Sequence, residues 1–139
     1  MISLILGHKG AGKTKKLISC VNEAVESSKG NVICVEKETK LTYDVNYRAR
    51  LIATDDYEVK GYDHFFGFLA GVCAGDHDIT DVLVDATLRI GGRDYKDLAK
   101  FLEAVYDLSE VHEKNFIFTI SADKEELPES VFNFCKVLG

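Results

Sequence analysis

The chain has 139 residues, a net charge of −6 and 46% hydrophobic residues, which is typical of one soluble globular domain spanning 1–139. The negative charge argues against an extensive nucleic-acid interface. No apolar run approaches the roughly 20 residues that cross a bilayer, and no basic leader of a signal peptide is evident. The four cysteines are widely spaced and include no C-x-x-C pair, so we expect reduced thiols in a cytoplasmic protein.

The most informative motif is GHKGAGKT at residues 7–14, which fits the phosphate-binding pattern G-x-x-x-x-G-K-[ST]. Its glycines allow successive backbone N–H groups to point into one concave nest. Lys13 can reach the outer phosphates as a flexible charge, and the Thr14 hydroxyl can ligate Mg²⁺. We therefore predict that ATP and Mg²⁺ bind here. The predicted phosphate-binding residues are Gly7, His8, Lys9, Gly10, Ala11, Gly12, Lys13, Thr14 and Lys15.

The residues that flank this motif support the assignment. Residues 1–6 are an apolar run suited to a buried parallel strand. After the motif, apolar residues recur with a helical period, and residues 27–30 end that helix. The apolar face comprises Leu17, Ile18, Val21, Ala24 and Val25. Strand, glycine-rich loop and helix in this order favour a phosphate-binding loop over a glycine-rich turn with a solvated lysine.

The rest of the chain alternates strands with helices. Further strands are predicted at 31–35, 81–85 and 116–120, and a candidate strand at 50–54. Helices are predicted at 62–74, around 98–108 and, as a last short element, from 127–130. Residues 41–57 are the least readable segment. We predict a three-layer α/β/α sandwich with a mainly parallel sheet of about five strands, whose ligand binds at the carboxyl ends of the strands.

Two further positions suit a triphosphate site. Asp85 follows the apolar residues 82–84 and can hold Mg²⁺ together with Thr14; the alternative is an ordinary loop cap. Ser121 follows the strand at 116–120 and can contact the γ-phosphate; an ordinary strand-end turn is the alternative.

Hydrolysis also requires a group that orients or deprotonates water. Many P-loop ATPases place a glutamate directly after the metal-binding aspartate, but here Ala86 occupies that position. Glu36 and Glu38 leave the end of the second strand and are the remaining candidates. Lysines are interleaved with them at positions 37 and 40, so a solvated charged loop is the alternative reading.

On Gly7, Gly12, Lys13 and Thr14 the chain resembles the P-loop NTPase superfamily. We expect an additional strand between the P-loop strand and the Asp85 strand, which resembles the RecA-like branch and its small bacterial ATP-binding proteins. In that branch the catalytic glutamate can come from the end of the strand after the P-loop helix. The resemblance therefore implies catalytic roles for Lys13 and for Glu36 or Glu38. Arginine-finger candidates are Arg48, Arg50, Arg89 and Arg93.

Three functions are compatible with these residues. The first is a slow ATPase that works as a homo-oligomer or with a protein partner. The second is a small-molecule or nucleoside kinase, although no cysteine pairs for the zinc-bearing segment of type II thymidine kinases are present. The third is a nucleotide-dependent switch without catalysis, in which binding orders residues 41–57. A GTPase is disfavoured because no N-K-x-D guanine motif is present.

Overall fold

The computed structural model describes residues 1–41 and 44–138. Within these ranges six strands form one sheet in which every neighbouring pair is parallel. The strands are β1 (Ile2–Leu6), β2 (Asn31–Glu36), β3 (Arg50–Ala53), β4 (Ile79–Val84), β5 (Asn115–Ile120) and β6 (Cys135–Val137). Their order across the sheet is β3-β2-β4-β5-β1-β6. The α-helices are α1 (Lys13–Ser27), α2 (Gly61–Gly75), α3 (Thr87–Gly91) and α4 (Tyr95–His112).

The sheet is covered on both faces, which gives three layers. Successive residues of a strand point to opposite faces, so Leu4 packs with the residues of α2 and α4 while Ile5 packs with those of α1. In β4, Val84 and Leu83 divide between the same two clusters. Strands buried on both faces need nearly continuous apolar sequence, and that is the pattern in the central strands.

One face of the sheet is covered by α1. Its buried residues, Leu17, Val21 and Val25, are four positions apart and form one stripe along the helix. Residues 44–49 and Leu41 extend this cover, because Val45 and Ala49 belong to the same buried cluster. Because α1 follows β1 after a short loop, the N-terminus of the helix lies at the carboxyl end of β1.

The opposite face is covered by α2 and α4 through an aromatic cluster. The rings of Phe65 and Phe101 stack with centroids 4.9 Å apart, and Phe118 of β5 meets Phe101 edge-on at 5.7 Å. Asp94 caps the start of α4 by accepting hydrogen bonds from the amides of Lys96 and Asp97.

The predicted three-layer fold is confirmed, and one strand is added to the sheet. The candidate strand in the poorly readable segment is β3, and β5 separates β1 from β4 as expected. The last short helix is a 3₁₀ segment at Glu129–Asn133, and it is followed by β6, which the sequence pattern did not indicate. Three residues are too few to show a period, and β6 exists through its pairing with β1.

Thr42 and Tyr43, in the segment that a nucleotide was expected to order, lie outside the described residues. Among the helices of the described ranges, none has both the length and the apolar character needed to cross a membrane.

Candidate functional site

The carboxyl ends of four strands meet around one cavity of about 810 Å³. β1 leads into the P-loop, β2 ends at Glu36, β4 leads to Asp85, and β5 leads to Ser121. Most of the residues that the sequence predicted for the site line this cavity. They are His8, Lys9, Gly10, Gly12, Lys13, Thr14, Lys15, Glu36, Glu38, Asp85 and Ser121.

The amides of Gly7 and Ala11 form hydrogen bonds within the protein. The Gly7 N–H donates to the carbonyl of Ala122 at 3.0 Å, and the Ala11 N–H donates to that of His8 at 3.1 Å. Gly7 has φ of +141°, and a Cβ there would lie 2.7 Å from the Cβ of Ala11. Both residues therefore help to shape the loop.

The N-terminus of α1 has the properties of an anion site. Its cap, Gly12, is in the left-handed region at φ 81° and ψ 22°, and no described side chain caps the helix. The first turn holds no acidic residue but does hold Lys13, Lys15 and Lys16. The N-terminus of a helix carries a partial positive charge, so the lysine charges at this end are unfavourable. In addition, the first backbone amides have no hydrogen-bond partner within the helix. An anion would compensate both, so a phosphate group fits these residues.

Lys13 and His8 both contribute to the arrangement of the loop. The Lys13 ammonium donates to the carbonyl oxygen of His8 at 3.2 Å, which places its charge over the loop. The His8 ring contacts the Glu126 carboxylate, and its Nε2 lies 3.6 Å from a carboxylate oxygen of Asp123. The Asp123 amide, and then His8, lower the pKa of Glu126. The imidazole therefore joins the P-loop to the segment after β5.

Thr14 and Asp85, which were predicted to hold Mg²⁺, lie close together. The Thr14 hydroxyl lies 3.3 Å from Asp85 Oδ2 and 3.5 Å from Oδ1. Both groups are hard oxygen ligands, which Mg²⁺ prefers over nitrogen or sulfur. Their proximity at the edge of the cavity fits a magnesium ion held beside the phosphates.

Thr119 is a cavity residue that the sequence reasoning missed. It is 1% exposed, and its hydroxyl lies 2.7 Å from Asp85 Oδ1 and 2.7 Å from the Ala86 amide. One signal was available in the sequence: Thr119 is the polar residue of the otherwise apolar run at 116–120. A buried hydroxyl needs partners, and a polar strand residue beside the Asp85 strand could have been assigned to that carboxylate.

Glu36 is buried rather than solvated. The residue is 5% exposed. Its carboxylate accepts hydrogen bonds from the backbone amides of Lys40 at 2.6 Å and Leu41 at 3.4 Å. Burial is the main cause that raises its pKa; the Asp85 charge acts in the same direction, whereas the two amides lower it. Glu36 is thus a basic carboxylate at the wall of the cavity, and it also holds the loop that follows β2.

Glu38 is exposed and forms ion pairs. Its Oε1 accepts from the Arg89 guanidinium at 2.9 Å and lies 3.4 Å from the Lys40 ammonium. The hydrogen bond from Arg89, and then the charge of Lys40, lower its pKa. Besides Thr119, the lining residues that the sequence did not indicate are Lys37, Lys40, Leu41, Ala86 and Tyr95.

The four arginine-finger candidates divide into two groups. Arg89 and Arg93 line the cavity. Arg48 instead pairs at 2.7 Å with Glu26, which lies in the last turn of α1. Arg50 is the first residue of β3, so it lies at the amino ends of the strands, away from the cavity. Only the first group is placed to meet a phosphate in the cavity.

Comparison with known proteins shows a likeness of fold. No family model matches the chain, and no curated protein does. Among solved structures, it is similar to the flagellar accessory protein FlaH from Methanocaldococcus jannaschii, with 17% sequence identity and a TM-score of 0.56. The match covers 95% of this chain and 65% of the FlaH chain, so the chain spans just under two thirds of that length. This likeness supports a RecA-like fold, in agreement with the position of β5 between β1 and β4.

Proposed function

We propose that this chain binds ATP with Mg²⁺ in the cavity and hydrolyses it slowly in the cytoplasm, as an oligomer or with a protein partner. One observation carries the proposal. The lysine-rich N-terminus of α1 has no side-chain cap among the described residues, and the Thr14 hydroxyl beside it faces Asp85. A bound polyphosphate would accept hydrogen bonds from the amides at the start of α1. A Mg²⁺ ion bound to that polyphosphate would be ligated by the oxygens of Thr14 and Asp85.

The charge of the cavity supports a polyanionic ligand. Among the described lining residues, seven lysine and arginine side chains stand against three carboxylates, in a chain whose net charge is −6. A cleft lined by one sign of charge raises the local concentration of the opposite sign. The lining cations are Lys9, Lys13, Lys15, Lys37, Lys40, Arg89 and Arg93.

The phosphates would be held by the P-loop in the proposed complex. The loop amides and the start of α1 contact the phosphates, Lys13 reaches the β- and γ-phosphates, and Ser121 contacts the γ-phosphate. Thr14 and Asp85 would hold Mg²⁺, and the ion would supply neutralisation of the phosphate charge.

Glu36 is the proposed proton acceptor for the attacking water. It faces the cavity, and burial makes its carboxylate more basic than an exposed glutamate. Hydrolysis is slow because two backbone amides already occupy this carboxylate and compete with water for its lone pairs. Glu38 has the different role of holding Arg89 at the cavity wall.

Binding is tested by calorimetry and thermal shift with a panel of nucleotides, each measured with and without a divalent metal. We expect ATP with Mg²⁺ to raise the melting temperature, because a ligand that binds the folded state stabilises it by mass action. Lys13→Ala should abolish this binding. The matched control is Lys29→Ala, an exposed lysine beyond the other end of α1, which should bind as the wild type does. Unchanged binding by Lys13→Ala would contradict the proposal.

A nucleotide-dependent switch is the second candidate function. The Glu36 carboxylate accepts from the Leu41 amide, and the Leu41 side chain belongs to the cluster that packs on α1. A nucleotide whose γ-phosphate changed the position of the Glu36 carboxylate would therefore change the packing of this cover. Tight ATP binding without ADP release, together with a changed oligomeric state, would favour the switch. ADP release only in the presence of a nucleoside would instead favour the kinase reading.

A further inference from the structure

We infer that Thr119 is a positioning residue for the metal site: its hydroxyl fixes the orientation of the Asp85 carboxylate. The inference rests on the proposed function, because it concerns the aspartate assigned to Mg²⁺. Thr119 lies in β5, between the strand that leads to the P-loop and the strand that leads to Asp85. It is 1% exposed, so its hydroxyl must find its partners within the protein.

The direction of the two hydrogen bonds follows from their chemistry. The Ala86 amide can only donate, so at 2.7 Å the Thr119 oxygen accepts from it. The hydroxyl hydrogen is then available for Asp85 Oδ1, also at 2.7 Å. A hydroxyl that accepts one bond becomes a better donor in the next. Thr119 thus donates to Asp85 Oδ1.

The geometry of Asp85 follows from this bond. Oδ1 is taken by Thr119, while Oδ2 is the oxygen closer to the Thr14 hydroxyl, at 3.3 Å. The backbone of Asp85 is fixed as well, since its amide donates to the Val35 carbonyl at 2.9 Å. With one oxygen held, the other has a defined direction towards Thr14. A carboxylate oriented in this way needs no rearrangement when it meets a cation.

The same hydroxyl stabilises the turn that begins α3. Ala86 is the cap of α3 and has φ 64° and ψ 52°, a left-handed conformation that is costly for a residue other than glycine. Its amide bond to Thr119 helps to hold this turn. α3 carries Arg89 to the cavity, so Thr119 connects the orientation of Asp85 with the placement of that arginine.

The test compares ATP affinity at a series of Mg²⁺ concentrations and in EDTA. Thr119→Val keeps the shape of the side chain but removes the hydroxyl. We expect the Mg²⁺-dependent gain in affinity to fall by about 10- to 100-fold, as for other groups that orient a metal ligand, with the affinity in EDTA close to that of the wild type. Thr119→Ser should restore the metal dependence.

Thr80→Val is the matched control for this experiment. The Thr80 hydroxyl also lies 2.7 Å from an oxygen of a neighbouring aspartate, Asp81. Thr80 is near the start of β4, however, at the end of the strands opposite to the cavity. Its loss should leave the Mg²⁺ dependence unchanged. If the valine variant does not fold, Thr119→Cys provides a second test, because the thiol is a weaker donor of similar size. This variant should also weaken the Mg²⁺ dependence.

The outcomes separate the two claims. If wild-type protein binds ATP and the valine or cysteine variant keeps the full Mg²⁺ dependence, the role assigned to Thr119 is wrong and the proposed function stands. If wild-type protein binds no nucleotide under any condition, the proposed function itself is wrong. Equal losses in EDTA and in Mg²⁺ would also overturn the inference, because they would indicate a general structural role.

Discussion

Glu36 and Glu38 are two positions apart in the chain, yet their environments are opposite. Glu36 is the last residue of β2 and is 5% exposed, and burial raises its pKa. Glu38 is exposed beside Arg89, which lowers its pKa. A buried carboxylate is stabilised in its neutral form, whereas one beside a guanidinium is stabilised in its charged form. The two glutamates are therefore distinguishable by the pH dependence of the activity.

We predict that ATP hydrolysis declines on the acid side at a higher pH than an ordinary glutamate would give. Below its raised pKa, Glu36 is protonated and cannot accept a proton, so the rate falls as the pH falls through that value. Glu36→Gln should lower the rate at neutral pH by about 10²- to 10⁴-fold and remove this acid limb. The measurement is kcat against pH.

Glu38→Gln is the control for this pH profile. It removes the carboxylate that pairs with Arg89 but leaves Glu36 in place, so the acid limb should persist. If Glu38→Gln removed the limb and Glu36→Gln did not, the proton acceptor would be Glu38.

The short helix α3 is fixed in place by a side chain from α2. The Tyr62 hydroxyl donates to the carbonyl of Gly92, just after α3, at 2.6 Å. The Tyr62 ring also packs against Phe101 of α4, with centroids 5.1 Å apart. A Cβ at Gly91 would lie 2.0 Å from this ring. Gly91 is thus required by the close approach of two helices, and this approach sets the position of the arginines that follow Asp85.

Gly91→Ala should lower the free energy of unfolding by about 1–3 kcal/mol, because the tyrosine ring must move away from a tightly packed position. Denaturant melts measure this change. The control is Gly67→Ala in the exposed face of α2, where a Cβ meets nothing within 4 Å. Alanine should stabilise that helix by roughly 0.5–1 kcal/mol relative to glycine. A neutral Gly91→Ala would show that Tyr62 does not restrain α3.

Sequence patterns predicted the parts of this molecule that depend on local order along the chain. The P-loop follows from the residue types at positions 7–14, and the buried strands from apolar runs between turns. β6 could not be predicted in this way, since it depends on pairing with β1. The apolar run around Thr119 marks that residue as unusual, but its partner follows only once β4 and β5 are known to be neighbours. The burial of Glu36 was missed because Lys37 and Lys40 follow it in sequence, while its carboxylate turns towards the amides of the loop.

The distribution of charge over the protein is uneven. The chain as a whole is acidic, with a net charge of −6, but among the described residues the lining of the cavity has more than twice as many cations as carboxylates. The remaining surface must therefore carry the excess of acidic groups. A fold with this distribution attracts a phosphate-bearing ligand to one place and repels it elsewhere.

Affinity for MgATP should consequently fall as the salt concentration rises. The Debye length is about 10 Å at 0.1 M and about 3 Å at 1 M ionic strength, so added salt screens the attraction between the cavity and the phosphates. Arg93→Gln removes one lining cation and should weaken both the binding and its salt dependence. Arg48→Gln is the matched control, because Arg48 pairs with Glu26 at the far end of α1, and it should leave the salt dependence unchanged. Calorimetric titrations over a salt series measure both effects. Binding that is independent of salt would indicate that the affinity comes from the base and the sugar rather than from the phosphates.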